Sequence, residues 1–233
     1  MTGDAQVTEG AQVTGSGRVT GGGRVTGSSP AERFDRNVQR RSAQVLKQRV
    51  LDQQREAFEK ALAWAAEHDA IEQAAARIVS ARRRYLLGNG KSLSYASLLA
   101  ADLGAGLSGV HLVDGSHLRP LDVLGDIRQG DLMVAILMSR YRRETVDVAE
   151  AYVAHGGELV LITDADDAPL TGRATTRIVI GTDTASYASS PTSVVLALHL
   201  LATLTIASSK GAGRRLHERD ALAAELGLYR DPA

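Results

Sequence analysis

The sequence predicts an α/β domain built on a five-stranded parallel sheet with helices on both faces. Three observations carry that expectation. Five short apolar runs, at 85–87, 110–113, 132–138, 159–163 and 177–180, are bounded by polar or glycine-rich turns, as buried strands are. Stretches of helical spacing alternate with these runs, and that rhythm implies parallel strands joined by crossover helices. The chain has 233 residues, 44% of them hydrophobic, enough for one sizeable core.

Residues 1–30 precede this pattern. Within them QVTEGA, QVTGSG, RVTGGG and RVTGSS repeat with a period of six, too polar and glycine-rich to bury a core, so a disordered low-complexity tail is expected. Stacking as a solenoid would have only Val7, Val13, Val19 and Val25 to bury. Residues 31–83 read as a helical segment for packing or dimerisation. Val45, Leu46, Val50, Leu51, Phe58, Leu62 and Ala65 keep one helical stripe. A second helix opens at Asp69, whose side chain is expected to cap it while Glu72 reaches back. The basic residues Arg36, Arg40, Arg41, Lys47 and Arg49 alternate with acids and read as a solvated face rather than a DNA surface.

The α/β unit spans residues 84–233. Tyr85–Leu87 is the first strand, GNGKS (88–92) a glycine loop, and Ser92 the expected cap of a helix that runs through Leu98, Leu99 and Leu103 to Gly104. Val110–Val113 is the second strand, followed by a polar connection. The third strand, Leu132–Met138, turns at Ser139 into a helix starting near Arg142, with Val146, Ala149 and Val153 on one side, Val148 and Tyr152 beside them, and a stop at Gly156-Gly157. Leu159–Thr163 and Arg177–Ile180 complete the sheet. The Pro191–Ser208 helix is capped by Ser190, apolar nearly all round, and expected in the core or at a dimer interface, with His199 a hydrogen-bonded interior residue. An amphipathic helix ends near Leu228.

Composition removes several function classes. The formal net charge is zero, so no overall field draws the chain to nucleic acid or acidic lipid. The absence of cysteine excludes disulfides and thiolate chemistry. The apolar run of the Pro191–Ser208 helix is too short to span a membrane. No signal peptide is read, and a cytoplasmic location is expected. No cofactor or metal is expected; Asp164, Asp166 and Asp167 read as a polar turn in preference to a cation site.

Ligands of parallel sheets bind beyond the carboxyl ends of the strands, where strand order reverses, so the loops after the first and third strands are the expected site. Helix starts favour acids, yet Arg140, Arg142 and Arg143 crowd the start of the helix after the third strand. Two readings stand: arginines splayed into water, or guanidiniums, Ser139 and free N–H groups gathered around a phosphate or carboxylate. GNGKS has three. A nucleotide P-loop needs glycine where Tyr85 stands, and a dinucleotide fingerprint needs glycine where Leu93 stands. The third is an anion cradle in which Gly88 and Gly90 admit a ligand to the backbone while Lys91 and Ser92 meet it.

The GxGxS loop, the serine-ended third strand followed by Glu144-Thr145, and AYVAHGGELVLITDADDAPLTGRA (151–174) together resemble the sugar isomerase (SIS) domain. The version they are most similar to is the effector-sensing half of RpiR/MurR-type transcriptional regulators. The resemblance runs from about Asp69 to Leu228. It implies a flavodoxin-like three-layer sandwich, a homodimer or homotetramer, and a phosphorylated sugar or similar anion bound by Gly88, Gly90 and Ser92 in one loop and Ser139, Glu144 and Thr145 in the other. Asn89, Lys91, Arg140, Arg142 and Arg143 complete the candidate site. The family's second loop often reads Ser-x-Ser-Gly-x-Thr; Leu137-Met138-Ser139-Arg140-Tyr141-Arg142 lacks one serine, the glycine and the threonine. Regulators of this type carry a helix-turn-helix ahead of the sugar-binding half, and residues 1–83 do not read as one, so direct DNA binding is not expected. Isomerisation needs a poised base; Glu144, His111, His117, His155 and Glu158 are candidates, and none has an identifying spacing. The reading is a non-catalytic phosphosugar sensor, with phosphosugar isomerase and ligand-free scaffold as alternatives.

Overall fold

The computed structural model describes residues 29–39 and 41–230, so the expected tail lies outside the described residues up to position 28. At the centre is an all-parallel sheet of β1 (Arg83–Leu87), β2 (Val110–Val113), β3 (Asp131–Leu137), β4 (Glu158–Thr163) and β5 (Thr176–Val179) in the order β2-β1-β3-β4-β5. That order is flavodoxin-like, with its reversal between β1 and β3. All seven residues of β3 are buried, because β1 and β4 flank it and helices cover both faces. A strand so enclosed needs no polar face, which accounts for the unbroken run LMVAIL.

Side chains alternate between two cores with the period of a strand. Leu86, Val134, Ile136, Val160, Ile162 and Ile178 face α3 (Ala70–Ser80), α4 (Lys91–Gly106) and α7 (Thr192–Ser208). Tyr85, Leu87, Met133, Ala135, Leu137 and Leu161 face α6 (Arg143–Ala154) and the short α5 (Pro120–Leu124). Full burial of one aliphatic side chain contributes about 1.5–3 kcal/mol, so these two layers dominate stability. Outside them, α2 (Ala43–Glu67) lies on α7 and α8 (Ala212–Glu225) on α4. The chain enters through α1 (Pro30–Arg33) and a π-helical turn (Phe34–Val38).

Charge at the amino-terminal edge of the sheet is structural. Arg84, buried, donates to the Ile78, Val79 and Ser108 carbonyls and so closes the end of α3. Arg83 pairs with buried Asp131 at 2.5 Å and with Asp126 at 2.5 Å. Glu158 pairs there with Arg77 at 3.2 Å.

Several local expectations need correction. Asp69 stands at the N-cap of α3 but makes no side-chain bond, because its φ of −80° and ψ of 11° are not the extended conformation that capping needs. Ser92 is inside α4; Gly90 is the N-cap. Ser190 precedes the N-cap Pro191, although its hydroxyl still accepts from the Thr192 amide at 3.2 Å. The buried stripe of α6 is Thr145, Val148, Ala149 and Tyr152, rotated from the predicted one. His199 is exposed, since it shares an outward stripe of α7 with Val195 and Thr203. The connection after β2 contains α5. Among the described residues no single helix is long and apolar enough to cross a membrane; α7 and α8 suffice by length and composition only together, across a 103° bend.

Candidate functional site

The carboxyl ends of β1 and β3 open at the reversal of strand order, and two loops meet there. After β1, Gly88 packs against the first turn of α4 so closely that a Cβ would lie 2.6 Å from the Ser92 carbonyl oxygen. Gly90 has a φ of 63°, a conformation L side chains rarely adopt, and its open side is covered by the Arg142 guanidinium at 3.2 Å from a built Cβ. Asn89 Nδ2 donates to buried Thr145 Oγ1 at 3.1 Å, tying this loop to the first turn of α6. The two loops predicted to cooperate are joined through Gly90–Arg142 and Asn89–Thr145.

The loop after β3 is built on Asp164, the first residue beyond β4. Its two carboxylate oxygens accept the Ser139 amide at 3.0 and 2.9 Å, and the Ser139 hydroxyl donates to it as well. Thr182 Oγ1 donates at 3.2 Å and the Tyr141 hydroxyl at 3.4 Å. Arg140 follows with a φ of 66°, in the left-handed region that favours glycine. Arg142 is the N-cap of α6.

Between the loops is a cavity of about 430 Å³, with Asn89, Lys91, Ser92, Ser139, Arg140, Arg142 and Thr145 on its walls. Four cations line it, Lys91, Arg140, Arg142 and Arg33, and no carboxylate does. Among the described residues none of the four is in an ion pair. Lys91 donates to the Ser189 carbonyl at 2.5 Å and Arg33 Nε to the Tyr187 carbonyl at 2.8 Å. Partial burial pushes the Lys91 amine below its ordinary range, and the neighbouring Arg33 charge adds to that. Ser92 presents a hydroxyl without a protein partner among the described residues, whereas that of Ser139 is committed to Asp164.

Arg143 and Glu144 are not on the wall. Arg143 is 93% exposed and reaches along α6 to Asp147 at 3.4 Å, and Glu144 is exposed beside it. The other candidate bases are elsewhere: His111 on β2 stacks on Tyr85, His117 bonds Asp114 at 2.7 Å, His155 bonds the Ala151 carbonyl, and Glu158 is at the opposite edge of the sheet. Among the described residues no group of three or more histidines and acids could hold a metal ion. A smaller hollow of about 190 Å³ shares Arg33, Ser139, Thr182 and Ser189 with this cavity, and a hollow of about 580 Å³ under α2 shares Arg36, Asn37, Asp183 and Thr184 with the smaller one. The larger hollow mixes Lys60 and Arg36 with Glu56 and Asp183 and has no charge preference of its own.

A model of the SIS domain family matches residues 77–207, more than half of the sequence. The chain belongs to this family. Solved SIS structures share its fold. The sugar isomerase domain of the RpiR transcription factor from Sphaerobacter thermophilus superposes with a TM-score of 0.68 at 23% identity, covering 74% of this chain and 96% of that one. The Vibrio vulnificus NanR protein, complexed with ManNAc-6P, gives 0.63 at 20% identity, covering 79% and 73%. The E. coli CFT073 protein c3406, in complex with A5P, gives 0.52 at 17%, covering 71% and 92%. No curated relative matches.

Sequence reasoning missed three residues of this candidate site. Asp164 was legible only as an acidic turn, although an acid directly after a strand beside β3 could have been placed next to the second loop. Thr182 and Arg33 come from distant parts of the chain and carry no local signal.

Proposed function

We propose that this SIS domain binds a phosphorylated sugar or related carbohydrate derivative as a non-catalytic sensor. The observation that carries the reading is the cavity at the β1–β3 reversal, with four cations on its wall and no carboxylate among them. A phosphate group carries roughly −1.5 to −2 charges at neutral pH and several acceptor oxygens, and guanidinium, ammonium and hydroxyl groups are its natural partners. Gly88, Gly90, Asn89, Lys91 and Ser92 supply one side. Ser139, Arg140 and Arg142 supply the other, with the first turn of α6 through Thr145. In this reading Arg143 and Glu144 shape the field at the rim rather than touch the ligand. The volume, about 430 Å³, falls within the common range for small-molecule sites, roughly 300–1,000 Å³, and suits a monosaccharide phosphate.

The sensor role is supported by the chemistry of the wall. Aldose–ketose interconversion moves a proton between adjacent carbons and calls for a base within about 3 Å of it. Neither histidine nor carboxylate lines the cavity. Incubation with ManNAc-6P and A5P, followed by proton NMR in deuterated water, tests this directly. Binding without isomerisation or exchange is expected; turnover would reassign the domain as an isomerase, and failure of both compounds and inorganic phosphate to bind would leave a scaffold. The same reading includes a homo-oligomer formed through α7 and α2, because Val195, Leu51, Phe58 and Leu62 are between 36% and 50% exposed there.

A further inference from the structure

The cavity has a wall that neither sequence loop supplies. Pro30 and Arg33, about fifty residues ahead of β1, line the cavity together with Lys91 and Ser189. We infer that the segment Ser29–Val38 is a ligand-dependent clamp whose Arg33 contacts the bound anion. The inference rests on the reading of this cavity as an anion site.

The segment is shaped locally and docked weakly. Ser29 Oγ accepts from the Glu32 amide at 3.1 Å, Glu32 Oε2 accepts from the Ser29 amide at 2.7 Å, and Pro30 fixes the first turn. This reciprocal cap sets the direction of Arg33 without help from the rest of the fold. Among the described residues a single hydrogen bond, Arg33 Nε to the Tyr187 carbonyl, ties Ser29–Val38 to the sandwich. No residue of α1 is buried and Phe34 is 45% exposed; among the described residues of the segment only Asn37, a polar side chain, is buried, so little apolar surface anchors it.

Charge supplies the switch. The Arg33 guanidinium faces the Lys91 ammonium across the cavity, and the amine, already disfavoured as a cation by burial, is disfavoured further by that neighbour. Among the described residues neither cation meets a carboxylate: Arg33 donates to the Tyr187 carbonyl, and Lys91 donates to the Ser189 carbonyl and lies 6.0 Å from the Tyr95 ring centroid. An anion between them replaces repulsion with charge-assisted hydrogen bonds and is therefore bound more tightly when the segment is docked. Coupling of this kind is reciprocal: the anion holds the segment down, and the segment raises affinity for the anion. Arg36, on the same segment, lines the neighbouring hollow of about 190 Å³, so docking shapes that space as well.

Trypsin cuts after arginine, and Arg33 and Arg36 report on the segment directly. The experiment is limited digestion of the full chain, with cleavage at these two positions followed by mass spectrometry, with and without saturating ManNAc-6P, A5P or inorganic phosphate. Calorimetric titration of the same three probes into wild type, Arg33→Ala and Glu32→Ala runs beside it. A probe that binds is expected to slow cleavage at Arg33 and Arg36 and leave cuts in α8 unchanged. Arg33→Ala should bind that probe about 10- to 100-fold more weakly, the loss of one charge-assisted hydrogen bond, with an unaltered melting temperature. Glu32→Ala, which breaks the cap and touches no ligand, should weaken binding less. Binding with unchanged cleavage, or with equal affinity in Arg33→Ala, overturns the clamp and leaves the anion site intact. Failure of all three probes to bind wild type overturns the anion site and the clamp with it.

Discussion

Replacing Asp164 with alanine removes the acceptor on which the loop after β3 is assembled. Four donors converge on it: the Ser139 amide and the hydroxyls of Ser139, Thr182 and Tyr141. A hydrogen bond to an ionised acceptor contributes about 1.5–3 kcal/mol, and a donor left unpaired costs about 1–3 kcal/mol. The three hydroxyls belong to half-buried residues and can turn to water, which offsets most of their loss. The Ser139 amide is fixed by the backbone and has no such recourse. The net destabilisation is therefore about 2–3 kcal/mol, close to one full charged hydrogen bond. In a chain of this size 1 kcal/mol moves the melting temperature by about 2–4 °C, so a fall of roughly 5–10 °C is expected by circular dichroism. Asp166→Ala, on the exposed side of the same turn, should change stability by less than about 0.5 kcal/mol. If the two variants melt within about 2 °C of each other, Asp164 does not hold the loop and the reasoning fails.

Three further outcomes follow from the same geometry. Arg140→Gly relieves a residue at a φ of 66°, a strain of about 1–3 kcal/mol partly offset by glycine entropy, so stability should hold or rise while affinity for a sugar phosphate falls; a drop in urea midpoint would contradict this. Gly88→Ala drives a methyl group to 2.6 Å from the Ser92 carbonyl oxygen, should cost about 1–3 kcal/mol, and should displace Ser92 enough to weaken binding, both readable in one thermal-shift series. Burial raises the proton affinity of Asp131, but hydrogen bonds from Arg83 and the Arg128 amide, with the Arg83 charge, outweigh it and hold the carboxyl below its ordinary value. The unfolded chain therefore binds the proton first. The stabilisation is complete above about pH 4 and is lost as pH falls through the lower folded value; Asp131→Asn should flatten that acid limb, and an unchanged limb would remove Asp131 as its source.

Most strands were legible because enclosure by helices leaves no place for polar residues: β3 reads as a continuous apolar run for that reason. The α5 helix was not, since five residues with Leu121 79% exposed have too little period to detect. His199 misled because α7 is apolar on nearly every side, and its pattern does not say which stripe a single chain leaves uncovered. The candidate site was half legible. Gly88–Ser92 and Ser139–Arg142 stand at strand ends, where a parallel sheet binds ligands, and charge out of keeping with a helix start marked the second loop. Arg143 and Glu144 left the wall because each residue of a helix turns by about 100° from the last. Arg33 reached it across 154 residues of sequence from Tyr187, a distance no local pattern spans.

The most direct measurement is calorimetric titration of wild type and Arg142→Ala with ManNAc-6P and with the same sugar lacking phosphate. The account predicts that the phosphorylated compound binds and the free sugar binds at least about 100-fold more weakly, since the cationic wall recognises the anion. It also predicts an affinity at least about tenfold lower in Arg142→Ala, whose guanidinium covers Gly90 at the meeting of the two loops. Equal affinity for the two sugars, or an Arg142→Ala variant that binds like wild type, would contradict the assignment of this cavity as the phosphosugar site.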